Sequence, residues 1–211
     1  SGTLYFRRPR DLYMELKHSL AGKLEMGSNH QEFWYWERFN DSRYYTGRHD
    51  LMAKPWETDI PLRPDQFLDM LGVNELPTET GDSGGPTFSV GPEHYNLNFF
   101  DRDPAGNAFQ SKSVAISRRP PFLISAVTYY NPEGRAWMRA ELKNYRPVDG
   151  TSVMTPRRIE VHSMDDQSWM TLEFGNMRPS ENKRLERERI LQSPLQRERD
   201  VGEIIRMDRR F

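Results

Sequence analysis

The chain has 211 residues, with 30 Lys+Arg against 31 Asp+Glu, 36% hydrophobic and 12% aromatic residues, and no cysteine. The lack of cysteine excludes a disulfide framework, a thiolate zinc site and a dithiol redox centre. Charges of both signs interleave and nearly cancel, so nothing sequence-wide favours a phosphate backbone, and no nucleic-acid partner is expected. Mean hydropathy is low, at −0.87, but near-zero net charge and abundant aromatics set the chain apart from disordered sequences. Its length suits one large domain or at most two small ones. The longest apolar run, Phe122 to Val127, is far short of the roughly 20 residues that cross a bilayer, and no secretion signal opens the chain. The chain as given is expected to be soluble, and its Ser1-Gly2-Thr3 start reads as processed or trimmed.

From Leu4 to Arg48 the apolar residues recur with period two. Leu12, Met14 and Leu16 alternate with Asp11, Glu15 and Lys17, and Leu24 and Met26 alternate with Lys23 and Glu25, the pattern of half-buried antiparallel strands. Turn residues at Ala21-Gly22, Gly27-Ser28-Asn29 and Asn40-Asp41-Ser42 divide the stretch into a meander of four or five short strands. Phe33-Trp34-Tyr35-Trp36 is aromatic on both faces, which requires a strand covered on both sides or an outer face that binds something.

The period changes at Arg63 to Val73. Pro64 and Asp65 suit a helix opening, Phe67, Leu68, Met70 and Leu71 supply an apolar face, and Gly72 sits where a left-handed cap belongs. Residues Glu79 to Gly91 read as loop. Strand pattern resumes at His94–Phe100, Ser113–Ser117, Phe122–Tyr130, Arg135–Tyr145, Arg157–His162 and Ser168–Met177, with turns at Asn131-Pro132-Glu133-Gly134 and Met164-Asp165-Asp166-Gln167. Strands outnumber helices and do not alternate with them, so a parallel sheet is not expected. The predicted fold class is mainly β (α+β): the strands of 4–49 and 94–178 join one strongly curved antiparallel sheet, and the helix lies on its concave face.

Residues 180–200 mix both charges, as in Lys183-Arg184-Leu185-Glu186-Arg187, and predict a solvated helix or an extended arm. The expected organisation is one antiparallel β domain over 1–178, with 179–211 a charged C-terminal extension that packs on or continues it.

Gly81-Asp82-Ser83-Gly84-Gly85-Pro86 spells the nucleophile segment of trypsin-like serine proteases. A nucleophilic serine needs a base, and His18, His30 and His49 are the upstream histidines, none in that family's setting. The letters also satisfy G-x-S-x-G, but no strand-then-helix pattern surrounds them. Ser83 is therefore expected to be catalytically idle, and no enzyme activity is expected. The five histidines contain no metal-ligand spacing, so no metal or other cofactor is expected either.

Leu4-Tyr5-Phe6-Arg7-Arg8-Pro9-Arg10, Gly27-Ser28-Asn29 leading into Glu32-Phe33-Trp34-Tyr35-Trp36, and Tyr44-Tyr45-Thr46-Gly47 resemble the periplasmic lipoprotein carriers and outer-membrane lipoprotein receptors, the LolA/LolB-like superfamily. Ile60-Pro61-Leu62-Arg63-Pro64 before the helix, Pro156-Arg157-Arg158-Ile159-Glu160-Val161, and Thr171-Leu172-Glu173-Phe174 extend the likeness over residues 4–178. The resemblance implies an unclosed half-barrel wrapped over helices, with an apolar groove for lipid or an acylated protein. It also implies a periplasmic protein or outer-membrane lipoprotein, its signal and lipidated cysteine removed, with peripheral or lipid-anchored membrane association. Five Trp, nine Tyr, eleven Phe and ten Met suit an adaptable apolar pocket. The expected ligand-lining residues are Trp34, Trp36, Phe122, Ile124, Trp137 and Trp169 from the strands, with Phe67 and Leu71 from the helix. The expected function is non-enzymatic binding of lipid or a lipidated protein. The alternatives are a protein-interaction or scaffold module of the same fold with a self-filled groove, and a serine hydrolase that uses the Gly81–Pro86 loop.

Overall fold

A computed structural model describes residues 1–7, 9–18, 22–38, 41–49, 63–72, 85–164, 168–179, 191–197 and 200–207. The Ser83 segment lies outside the described residues. The chain forms two compact units, one of residues 1–68 with 180–211 and one of residues 69–179.

The first unit opens with five strands, β1 (Gly2–Arg7), β2 (Asp11–His18), β3 (Gly22–Ser28), β4 (Glu32–Arg38) and β5 (Ser42–Arg48). They pair as an antiparallel meander in chain order, as their alternation predicts. A sixth strand from the far end of the chain, β15 (Glu203–Arg206), joins β5 in parallel. The expectation of one sheet running through residues 4–178 is thereby corrected. Because β15 takes the outer hydrogen-bonding edge of β5, that edge is not available to the strands between them in the chain, which build a seven-stranded sheet and a two-stranded ribbon.

Residues directly opposite in an antiparallel ladder share a face. One face of the six-stranded sheet carries Leu12, Met14, Met26 and Phe33, all buried. The other carries Trp34, Trp36 and Tyr44, also buried, so both aromatic faces of β4 are covered. Gly27 was expected in a turn but lies inside β3, opposite Trp34. A Cβ there would overlap the Trp34 indole, so the glycine makes room for the ring.

The second unit holds the seven-stranded sheet in the order β14-β13-β10-β9-β8-β7-β6. Its strands are β6 (Thr87–Val90), β7 (His94–Arg102), β8 (Ala108–Ser117), β9 (Ile124–Tyr130), β10 (Ala136–Lys143), β13 (Arg158–Ser163) and β14 (Trp169–Glu173). All neighbours are antiparallel. A two-stranded ribbon pairs β11 (Arg146–Pro147) with β12 (Met154–Thr155). The loop expected over 79–91 is corrected at its end, because Thr87–Val90 forms β6. Its neighbour β7 offers a free edge, and Gly91-Pro92 makes the turn between them, closed by the Gly91 amide donating to the His94 carbonyl at 2.8 Å.

The one helix among the described residues is α1 (Pro64–Met70). Phe67, Leu68, Met70 and the following Leu71 are buried. Gly72 ends it at φ 67°, its amide donating to the Asp69 carbonyl at 2.9 Å, as a left-handed cap requires. Among the described residues the protein is thus mainly β, with sheets that are antiparallel except at β5–β15 and do not close into a barrel, and a single helix.

Two outcomes follow from the first sheet. Gly27→Val should cost about 1–3 kcal/mol through overpacking, read as a lowered midpoint in urea with unchanged far-UV circular dichroism. Burial raises the Glu15 carboxyl, but hydrogen bonds from Lys17 and Lys23 outweigh it and hold the group down from 4.5 to about 2. A depressed folded-state value stabilises the protein above the ordinary carboxylate range and is lost as pH falls toward 2. Wild type should therefore melt above Glu15→Gln at pH 6, and the gap should close between pH 4.5 and about 2.

Candidate functional site

Register puts an unbroken apolar row across all seven strands of the larger sheet. Phe88 pairs with Leu97, Leu97 with Val114, Val114 with Val127, Val127 with Ala140, Ala140 with Val161, and Val161 with Met170. A second row on the same face runs Val90, Tyr95, Ile116, Ile124. The opposite face is polar, with Asn98, Ser113, Thr128, Arg139 and His162 in one row.

The apolar face is buried in the middle and open at one end. Val114, Val127, Ala140 and Val161 are buried, Leu97, Tyr95, Ile116 and Ile124 are half-buried, and Phe88 and Val90 are 60% and 58% exposed. Adjacent positions on an edge strand with large apolar side chains in water are unusual for a soluble surface and mark a contact site. The Phe88 ring lies 5.4 Å from the Tyr95 ring, and the Arg118 guanidinium sits 5.5 Å from the other ring of that pair, that of Tyr95. The open end therefore combines flat aromatic surface with one cation.

Further along the same face, the end of α1 is fastened to the sheet. The Asp69 carboxylate accepts from Lys112 Nζ at 2.8 Å and from the Tyr129 hydroxyl at 3.0 Å. Lys112 also lies over the Phe99 ring at 4.8 Å, and the Trp137 ring meets Tyr129 at 6.0 Å. Gly72 faces Ile124, with 3.7 Å between a Cβ position there and the Ile124 Cδ1. The Tyr145 hydroxyl donates to the Ile124 carbonyl at 2.7 Å, and burial pushes its ionisation well above the usual phenol range, so it stays a donor.

The eight residues expected to line a groove fall in different places. Trp34, Trp36 and Phe67 belong to the first unit, and Leu71, Phe122, Ile124, Trp137 and Trp169 to the second. Trp34 and Trp36 are closed into a cluster with Tyr44 and Val201, and Phe67 and Leu71 are buried. Phe122 was expected in a strand, but β9 begins at Ile124. Phe122 instead follows the cis Pro120–Pro121 bond, with φ 57° and 54% exposure, because a proline pair cannot supply the amides of a central strand. Trp169 pairs with His162 on the polar face and is 72% exposed. Ile124 lies on the apolar face, and the Trp137 ring packs against Tyr129. The residues sequence reasoning missed are Phe88, Val90, Tyr95, Leu97 and Ile116. The signal for the first two was the alternation Thr87-Phe88-Ser89-Val90 ahead of Gly91-Pro92, short enough to be absorbed into a loop.

No family model and no curated protein matches the chain. Among solved structures it is similar to a DUF1329 family protein from Desulfovibrio piger, at 12% identity over 86% of this chain and 76% of that one, with a TM-score of 0.48. It is also similar to a LolA superfamily protein from Nitrosomonas europaea, at 11% identity over 87% of this chain and 84% of that one, with a TM-score of 0.46.

Asp69→Ala should cost about 1–3 kcal/mol, because it removes the acceptor shared by a partly buried lysine and tyrosine. Thermal melts of the variant against wild type check this, and Tyr129→Phe in the Asp69→Ala background should add little further loss.

Proposed function

We propose that this protein binds an acyl chain, on a free lipid or on a lipidated partner protein, along the apolar face of the seven-stranded sheet, and carries it without catalysing a reaction. The observation that supports this is the open end of the two apolar rows, where Phe88 and Val90 are exposed and Tyr95, Leu97 and Ile116 half-buried. A hydrocarbon needs a flat, non-directional apolar surface, and the open end of a sheet face in register supplies one. Covering ~300 Å² of apolar surface would gain about 7 kcal/mol at 25 cal/mol per Å², of which ordering costs take part. Arg118, beside Tyr95, suits an anionic headgroup or carboxylate at the open end.

The sequence resemblance to lipoprotein carriers and receptors agrees with such a ligand, and a cell-envelope setting, periplasmic or at the outer membrane, goes with it. In this reading the ligand is carried by the second unit, residues 69–179.

Phe88→Ser with Val90→Ser tests the proposal, because both side chains are exposed and their loss should leave the melting temperature within about 3 °C of wild type. Binding of a fluorescent fatty acid should weaken by about tenfold or more. Trp34→Ala, in the closed cluster, should instead cost about 3–5 kcal/mol of stability. Unchanged fatty-acid affinity in the folded Phe88/Val90 double variant would contradict the proposal.

A further inference from the structure

The tryptophan face of the six-stranded sheet is covered by the chain's own end, and the covering has the character of a bound peptide. Residues 191–197 and 200–202 form no strand or helix, and β15 is hydrogen-bonded to the sheet along β5. Of this segment, Ser193, Pro194 and Val201 are buried, while Glu203, Ile204 and Arg206 are exposed. The strands β1–β5 make their ladder without it.

The sheet meets this segment with groups that a packed core has no need of. Val201 enters the cluster of Trp34, Trp36 and Tyr44. The Ser42 hydroxyl accepts from Trp36 Nε1 at 3.0 Å and donates to the Val201 carbonyl at 2.9 Å. Asn29 Nδ2 donates to the Leu191 carbonyl at 3.2 Å, and Gln196 Nε2 donates to Glu32 at 2.8 Å. Arg197 pairs with the fully buried carboxylate of Glu25. After Val201 the chain must be glycine: Gly202 has φ 75°, and a Cβ there would run into the Ser42 carbonyl. The Thr46 carbonyl then takes the Met207 amide at 2.8 Å.

We propose that this face is a peptide-binding site, held in cis by residues 191–197 and 200–207 and open to another extended peptide when they lift. The ligand class is a peptide that adds as a parallel strand to the edge of β5, with a valine-sized residue followed by glycine and an arginine four positions before the valine. The aromatic cage sets the apolar position, Glu25 sets the arginine, and Ser42 rejects any residue but glycine at the next position. Edge pairing supplies sequence-independent hydrogen bonds and the pockets supply selectivity. Among the described residues of the segment, Pro194 and Val201 are the buried apolar ones, fewer than the strands beneath it bury, so lifting it costs less than opening the sheet. This site lies in the first unit and is independent of the acyl-chain reading of the second.

Hydrogen exchange on the full wild-type chain is the first test. The Met207 amide should exchange about a hundredfold faster than the amides between β3 and β4, and equal rates would overturn the proposal by making the segment a permanent part of the sheet. The second test uses the full chain carrying Gly202→Val, which should dislodge the segment, and a fluorescein-labelled synthetic peptide of residues 191–207. The variant should bind this peptide about tenfold or more tightly than wild type does, and the same peptide carrying Gly202→Val should not bind. A folded variant that ignores the peptide would overturn the proposal, and if the variant does not fold, the exchange rates decide.

Discussion

Strand register is the constraint on which the larger sheet depends. Side chains alternate with period two, so a slip of one residue at any pairing would exchange the row of Phe88, Leu97, Val114 and Val127 for Asn98, Ser113 and Thr128. Burial of the middle of the apolar face penalises that slip, and Asp69 reinforces it by holding Lys112 and Tyr129 on the same face. The open end inherits its register from the buried middle. Phe88 and Val90 point with the apolar rows because β6 is hydrogen-bonded to β7, although little covers them.

The smaller sheet solves a different problem. Both faces of β4 are aromatic, and one sheet cannot bury two faces by itself. The side with Trp34, Trp36 and Tyr44 is closed by Val201 and by the parallel strand β15. Glu15 and Glu25 stand directly opposite each other in the ladder, a destabilising placement for like charges, and Lys17, Lys23 and Arg197 gather around the pair. The tail thus contributes a counter-charge as well as an apolar plug, which links its docking to the electrostatics of β2 and β3.

Much of this was legible in the sequence. Alternation at Leu12–Leu16 and Leu24–Met26 located the first strands, and Pro64, Asp65 and Gly72 bounded the helix, because these signals are local. The partition into two sheets was not legible, since it turns on β15 pairing with β5 across most of the chain, and pairing partners leave no local trace. The same reason hid the burial of Trp34 and Trp36. Their aromatic character was visible, but their cover, Val201, comes directly after the stretch 180–200, whose mixed charges read as solvated. Phe122 lies outside β9 because the Pro120-Pro121 pair ends the strand pattern, whereas alternation itself puts Trp169 on the face of Thr171, opposite to that of Met170 and Leu172.

The central claim is that the apolar face of the seven-stranded sheet is where a hydrocarbon chain binds. Methyl-resolved nuclear magnetic resonance on the full chain, titrated with dodecanoic acid, addresses it directly. The methyl signals of Val90, Leu97, Ile116 and Ile124 should shift together and saturate at one affinity, while those of Val201 and Ile204 stay in place. Shifts confined to Val201 and Ile204, or no saturable shift at the four methyl-bearing residues of the open end, would contradict it.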